Sequence, residues 1–195
     1  AAAFGEGMSS PLLDEVRERR GLDYYANCSA DVFDIAGQFV IEASTAPEHV
    51  DEFFATVTQL LLQRAERVDA VELERARNQI IVRRILAAER PARRLEDATL
   101  DLFALGRVRS AQERREQISQ VDAEQARAAF ARLLAAPPAL ALAGRLRSGA
   151  LQRVRALLAA RGFAGFSGGG SDGVIDEPGA RLPQPLPRAK RRFHH

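Results

Sequence analysis

From Pro47 to Pro137 the chain repeats apolar residues at helical spacing with few interruptions, so its middle is committed to helices that must share a core. Val50, Phe53, Phe54, Val57, Leu60 and Leu61 fall on one face of a first helix that opens after Ser44-Thr45-Ala46-Pro47. Leu73, Ala76, Ile80, Ile81 and Leu86 give a second helix an apolar side from about Ala70 to Glu89, where Pro91 ends or kinks it. Further helices fit Leu95 to Leu105 before Gly106, Ala111 to Ile118, Ala123 to Ala135 with Asp122 near its start, and Leu151 to Ala160. Upstream the period changes. Tyr24 to Phe33 and Gly37 to Ala43 predict two strands of a hairpin joined through Asp34 and its neighbours, and Ala139 to Leu146 is a short strand candidate. Strands on both sides of a helical run predict an α+β fold, with long helices packed on one face of an antiparallel sheet.

With 195 residues, 46% of them hydrophobic, the chain can bury the core of one ordinary domain. That domain is expected over residues 1–162. Residues 163–195 turn glycine-rich and then proline-rich without apolar periodicity, which predicts a flexible tail. This tail carries five bases (Arg181, Arg188, Lys190, Arg191, Arg192) against three acids (Asp172, Asp176, Glu177), which accounts for the whole formal charge of +2. The folded part is neutral and offers no footprint for nucleic acid. No apolar run approaches the roughly 20 residues that cross a bilayer, so no membrane span is expected. The chain begins Ala1-Ala2-Ala3 with no legible signal peptide, and its one cysteine gives no redox signal, so the compartment stays open between periplasm and cytoplasm for a bacterial chain.

Metal and nucleophilic chemistry are poorly provided for. His49 is the one histidine outside the tail, and His49-Val50-Asp51-Glu52-Phe53 puts phenylalanine where the inverted zinc motif H-x-x-E-H needs its second histidine. One imidazole cannot hold a catalytic zinc, which takes three protein ligands. Cys28 lies in a predicted strand and reads as a small, inert hydrophobe. No metal ligand and no cofactor-binding residue is therefore assigned to this chain.

One unusual constellation precedes the hairpin: Phe4-Gly5-Glu6-Gly7-Met8-Ser9-Ser10-Pro11-Leu12-Leu13-Asp14-Glu15-Val16-Arg17-Glu18-Arg19-Arg20-Gly21-Leu22-Asp23-Tyr24. Ser10 can cap a helix, Pro11 suits its first position, Asp14 and Glu15 sit in its first turn, and Gly21 after Arg19-Arg20 stops it. The stretch resembles the G-x-G-M-S-S-x-L-x-x-x-x-R-x-x-x-G-L-x-Y segment of the second domain of pitrilysin/insulinase-like zinc metallopeptidases, a family that includes mitochondrial processing peptidase and its bacterial relatives. The likeness continues in order through Thr45-Ala46-Pro47-Glu48, Glu72-Leu73-Glu74-Arg75-Ala76, Leu105-Gly106-Arg107 and Val121-Asp122-Ala123-Glu124, covering roughly residues 4 to 160.

The resemblance implies the C-terminal, non-zinc half of a clamshell peptidase. In that family two similar domains close around an extended peptide, zinc is held by H-x-x-E-H and a distant glutamate of the first domain, and the second domain contributes an arginine and, seven positions on, a tyrosine. By position these are Arg17 and Tyr24. An arginine fork and a phenol suit the carbonyl oxygen of a scissile peptide bond, on which charge grows in the transition state. The implied partners are a zinc-bearing domain or subunit and an extended peptide substrate, and the chain alone is expected to be inactive. Only seven residues precede Met8, so the resemblance also implies that the domain's first strand and the front of its first helix are missing. Glu6 and Pro11 stand where the family often has glycine and arginine, and Asp23 adds a carboxylate beside Tyr24 that can pair with Arg17. A catalytically silent homologue serving as a structural or peptide-binding partner is the alternative, and a plain helical interaction module a third.

Overall fold

The computed structural model describes residues 1–7, 10–32 and 37–163, without the side chains of Asp23, Tyr24 and Val32. The segment around Asp34 and the tail from residue 164 onward lie outside the described residues. The order is a short helix α1 (Pro11–Leu13) that continues as a π-helical turn (Asp14–Arg19), strands β1 (Asp23–Val32) and β2 (Gly37–Thr45), and helices α2 (Val50–Glu66), α3 (Ala70–Ala88), α4 (Pro91–Leu105), α5 (Ala111–Ser119), α6 (Ala123–Ala135) and α7 (Ala150–Ala160). The fold is α+β, as the patterning predicts.

The caps explain where the helices begin. Ser10 accepts from the Leu13 N–H with Pro11 at the first helical position. Asp69 accepts from Val71 N–H ahead of α3, and Ser110 from Glu113 N–H ahead of α5. Asp122 and Gln125 form a reciprocal capping box at α6. Pro91, rather than kinking α3, opens α4, so that helix starts four residues before the expected Leu95. Gly106 closes it at φ +69°, a conformation that costs glycine little.

The two strands pair antiparallel, with Ala26 opposite Ala43, Cys28 opposite Ile41 and Ala30 opposite Phe39. Alternation then sends Ala26 and Cys28 into the core, while Phe39 and Ile41 pack against it from β2. Phe4, Phe39 and Phe130 meet with ring centroids 6.0 to 6.3 Å apart and tilted planes, which ties the N-terminal segment, β2 and α6 together. Phe53, Val57 and Leu60 of α2 and Leu73 of α3 complete this cluster. Burying a side chain of the size of Phe4, which has no exposed surface, contributes on the order of 2 to 3 kcal/mol.

A second cluster lies at the other side of α2, where Val50 meets Val154, Leu158 and Phe163. Phe163 is thus packed, one residue beyond the expected domain boundary. Two expectations fail. Ala139 to Leu146 forms no strand: instead of pairing with a sheet edge, it lays Leu140 and Leu142 against the second cluster. And α3 buries only Leu73 and Ala76, because its second half leaves the core and packs on α4 and α5, so Leu86 is exposed.

Candidate functional site

Arg17 and Tyr24 are joined by a short, tightly specified piece of backbone. Val16 is wholly buried, so the face of the helix that carries it is fixed against the core and Arg17 sits one position around from it. The six residues Asp14–Arg19 are wound as a π-helix, a rare form found mostly as single turns and often at functional sites. Gly21, at φ +60°, reverses the chain, with its N–H donating to Arg17 C=O at 3.1 Å and the Leu22 N–H to Val16 C=O at 2.8 Å. The hydroxyl of Thr45 in β2 donates to the Leu22 carbonyl, which ties the turn to the end of the sheet.

Asp23 then pairs with Thr45 and Tyr25 with Ser44, leaving Tyr24 as the extra residue of a β-bulge. A bulge changes the direction in which its residues project and recurs beside active sites. Both residues implied by the resemblance therefore sit on backbone irregularities that no propensity or periodicity announces. The only sequence signal for either is the motif itself.

The charges around the turn are interleaved. Arg17 is about one-third exposed and donates from Nε and Nη2 to Glu18 Oε1 at 2.8 and 2.7 Å. Glu18, which the sequence does not single out, is one carboxylate on Arg17; the Asp23 side chain, which the sequence suggests as a partner, lies outside the described part. Arg19 pairs with Asp14 at 2.9 Å, and Arg20 with Glu15 at 2.8 Å and Glu52 at 3.5 Å. The Glu15 carboxylate, as hydrogen-bond acceptor, raises the pKa of Arg20 above its ordinary value. The Arg20–Glu52 pair ties the turn to the first turn of α2. Beside it is an open cavity of about 290 Å³, walled by Glu15, Arg20, Glu52, Gln59, Gln63 and Arg161.

The two glycines of the motif have separate reasons. A Cβ on Gly5 would come within 2.4 Å of Cys28 Cβ and 2.8 Å of Leu12 Cδ2, so α1 and β1 approach each other only across a glycine. Gly7 has φ +87°, a left-handed conformation, beside the Gln79 amide, whose nitrogen donates to Glu6 C=O at 3.1 Å.

The described residues do not fit a zinc ion. No group of three His, Cys, Asp or Glu side chains among them is placed to hold one. His49 stands at the N-terminus of α2 without a side-chain capping bond, and burial pushes the Cys28 thiol up to about 12. Nor is any helix of the described residues long and apolar enough to cross a membrane.

A half-domain of this architecture, with a glycine-tight helix-to-hairpin turn, defines the class to which the comparisons assign the chain. Residues 1–80 match the family model described as the Peptidase M16 inactive domain. An uncharacterized zinc protease of Rickettsia bellii is 33% identical over 63% of this chain and 30% of its own length. The mitochondrial-processing peptidase subunit alpha of Bos taurus is 30% identical over 83% of this chain and 31% of its own. A conserved protein of Enterococcus faecalis shares the fold with a TM-score of 0.61 at 22% identity, over 67% of this chain and 31% of that one. Over residues 1–80 the chain is similar to the inactive C-terminal domain of the pitrilysin/insulinase-like peptidases, and its likeness to zinc proteases and to a processing-peptidase subunit runs beyond that stretch. It spans about 30% of the length of the curated relatives it matches.

Proposed function

We propose that this domain is the non-zinc half of a metalloendopeptidase, receiving an extended peptide and orienting its scissile carbonyl toward zinc held by another domain or chain. The observation that carries the reading is the placement of Arg17 on a π-helical turn and of Tyr24 at a bulge seven residues on, joined through the left-handed Gly21. Two donors held by rigid, hydrogen-bonded backbone are what oxyanion stabilisation needs, because no reorganisation is then required as charge develops. The guanidinium fork supplies a geometry that a lysine ammonium lacks. Nothing in the role asks this chain to bind metal.

The second reading, a catalytically silent peptide-binding partner, draws support from the Arg17–Glu18 pair at 2.7 Å, which competes with a substrate carbonyl for the same guanidinium. One experiment separates the two. With the zinc-bearing half supplied, Tyr24→Phe should lower kcat on the order of 100-fold with a smaller change in KM, and Arg17→Lys should lower it as well. Equal peptide cleavage by Tyr24→Phe, Arg17→Ala and the parent would leave only the silent role.

A further inference from the structure

Helix α4 is built inside out. Among its residues only Asp101 is buried, at 5% exposure, while Leu95 is 70%, Leu102 57%, Phe103 80% and Leu105 49% exposed. The inward side is a charge cluster: Arg109 holds Asp101 at 2.7 Å, Arg114 holds Asp101 at 2.8 Å and Asp97 at 3.4 Å, and Arg84 reaches Asp97 at 3.7 Å. These pairs orient the helix, and in doing so they leave its apolar residues facing water. Leu95, Ala98, Leu102 and Leu105 follow the three-four-three spacing of a helix-pairing seam, and Phe103 flanks it. Val82, Ile85 and Leu86 of α3 are exposed as well.

The N-terminal end of the same helix is strongly positive. Its first turn has no acidic residue and no side-chain cap, and Arg90, Arg93 and Arg94 cluster there, all exposed. Three cations at a helix N-terminus oppose the macrodipole, so this end gains from an added anion. Among the described residues Arg93 forms an exposed pair with Glu96 at 2.7 Å, and neither Arg90, which Glu89 precedes, nor Arg94 is in an ion pair. A second copy of the chain docked in parallel through α4 would bring these arginines against one another, and charge disfavours that arrangement.

We propose that the outward seam of α4 is a docking surface for an amphipathic helix of a partner protein, whose leucine-type stripe covers Leu95, Leu102 and Leu105 and whose carboxylates meet Arg90, Arg93 and Arg94. The test uses the whole chain and two labelled synthetic helical peptides with leucine at seam positions, one flanked by glutamates and the other by lysines, followed by fluorescence anisotropy. At low salt the glutamate peptide should bind about tenfold or more tightly than the lysine peptide, and the advantage should shrink as salt screens it. Leu95→Ala with Leu102→Ala should weaken binding by about tenfold, and Arg90→Glu with Arg94→Glu should reverse the preference. All four positions are exposed, so the variants should keep the parent's circular dichroism and melt no lower than the parent, the arginine-to-glutamate pair slightly higher. Equal affinity for both peptides, or binding to neither, overturns the proposal. So does self-association abolished by the leucine double variant, which assigns the face to a second copy, or selective recruitment to anionic vesicles.

Discussion

Gly5→Ala is the most informative single change, because it acts on packing and on the candidate site through one atom. The new Cβ would lie 2.4 Å from Cys28 Cβ and 2.8 Å from Leu12 Cδ2, whereas carbon atoms in contact sit at about 3.5 to 4.0 Å. The shortfall of about 1 Å must be met by moving α1 away from β1, since Cys28 and Leu12 are fully buried and cannot swing into solvent. Overpacking of this kind costs roughly 1 to 3 kcal/mol. Taking about 2 kcal/mol, a domain of this length should melt about 4 to 8 °C lower. Gly21→Ala is the control: it meets nothing within 4 Å, so its cost, about 1 kcal/mol, arises from the left-handed backbone at φ +60° alone. Calorimetry or urea titration of the three proteins measures both. The shift also separates the elements that carry Arg17 and Tyr24, and displacements near 1 Å can cost on the order of 100-fold in rate. Peptide cleavage with the zinc-bearing half supplied should therefore fall more for Gly5→Ala than its stability loss explains. A melting temperature within about 1 °C of the parent would refute the close-approach argument.

Two further outcomes follow from the ionisable groups. The Arg109 hydrogen bonds, with help from Arg114, hold Asp101 well below the usual carboxylate range. A depressed folded pKa gives stability that is present above the unfolded value near 4 and lost as pH falls through the folded one. Asp101→Asn should therefore cost about 2 kcal/mol at pH 7, with the gap to the parent narrowing as urea titrations move below pH 4; a gap independent of pH would contradict the ion-pair account. Cys28 is 1% exposed and burial pushes its thiol up to about 12. A buried thiol held in its neutral form is a poor nucleophile, so a thiol reagent should label the unfolded chain rapidly and the native one negligibly at pH 8, and fast native labelling would show that the strand opens.

Local chemistry determined most of the elements. Ser10 and Asp122 cap the helices whose starts they mark in the sequence, because a cap involves residues only two or three apart, and the structure adds Asp69 and Ser110 in the same role. In β2 the alternation holds only in part: Phe39 and Ile41 pack against the core, but Ala43 of the same face is exposed and Val40 of the other is half-buried. The motif from Phe4 to Tyr24 carried the family, and with it Arg17 and Tyr24, which no periodicity would have singled out. What the sequence could not reveal depends on partners distant along the chain. The π-helical winding at Arg17 and the bulge at Tyr24 arise where a buried Val16, the Gly21 reversal and the Thr45 hydroxyl must be satisfied together. Ala139 to Leu146 has strand composition, yet its place against Val50 and Leu158 was decided by where α2 and α7 lie. The face that α4 buries ran against its own amphipathicity, because Arg109 and Arg114, supplied from beyond the helix, outweighed the pull of its leucines toward the core.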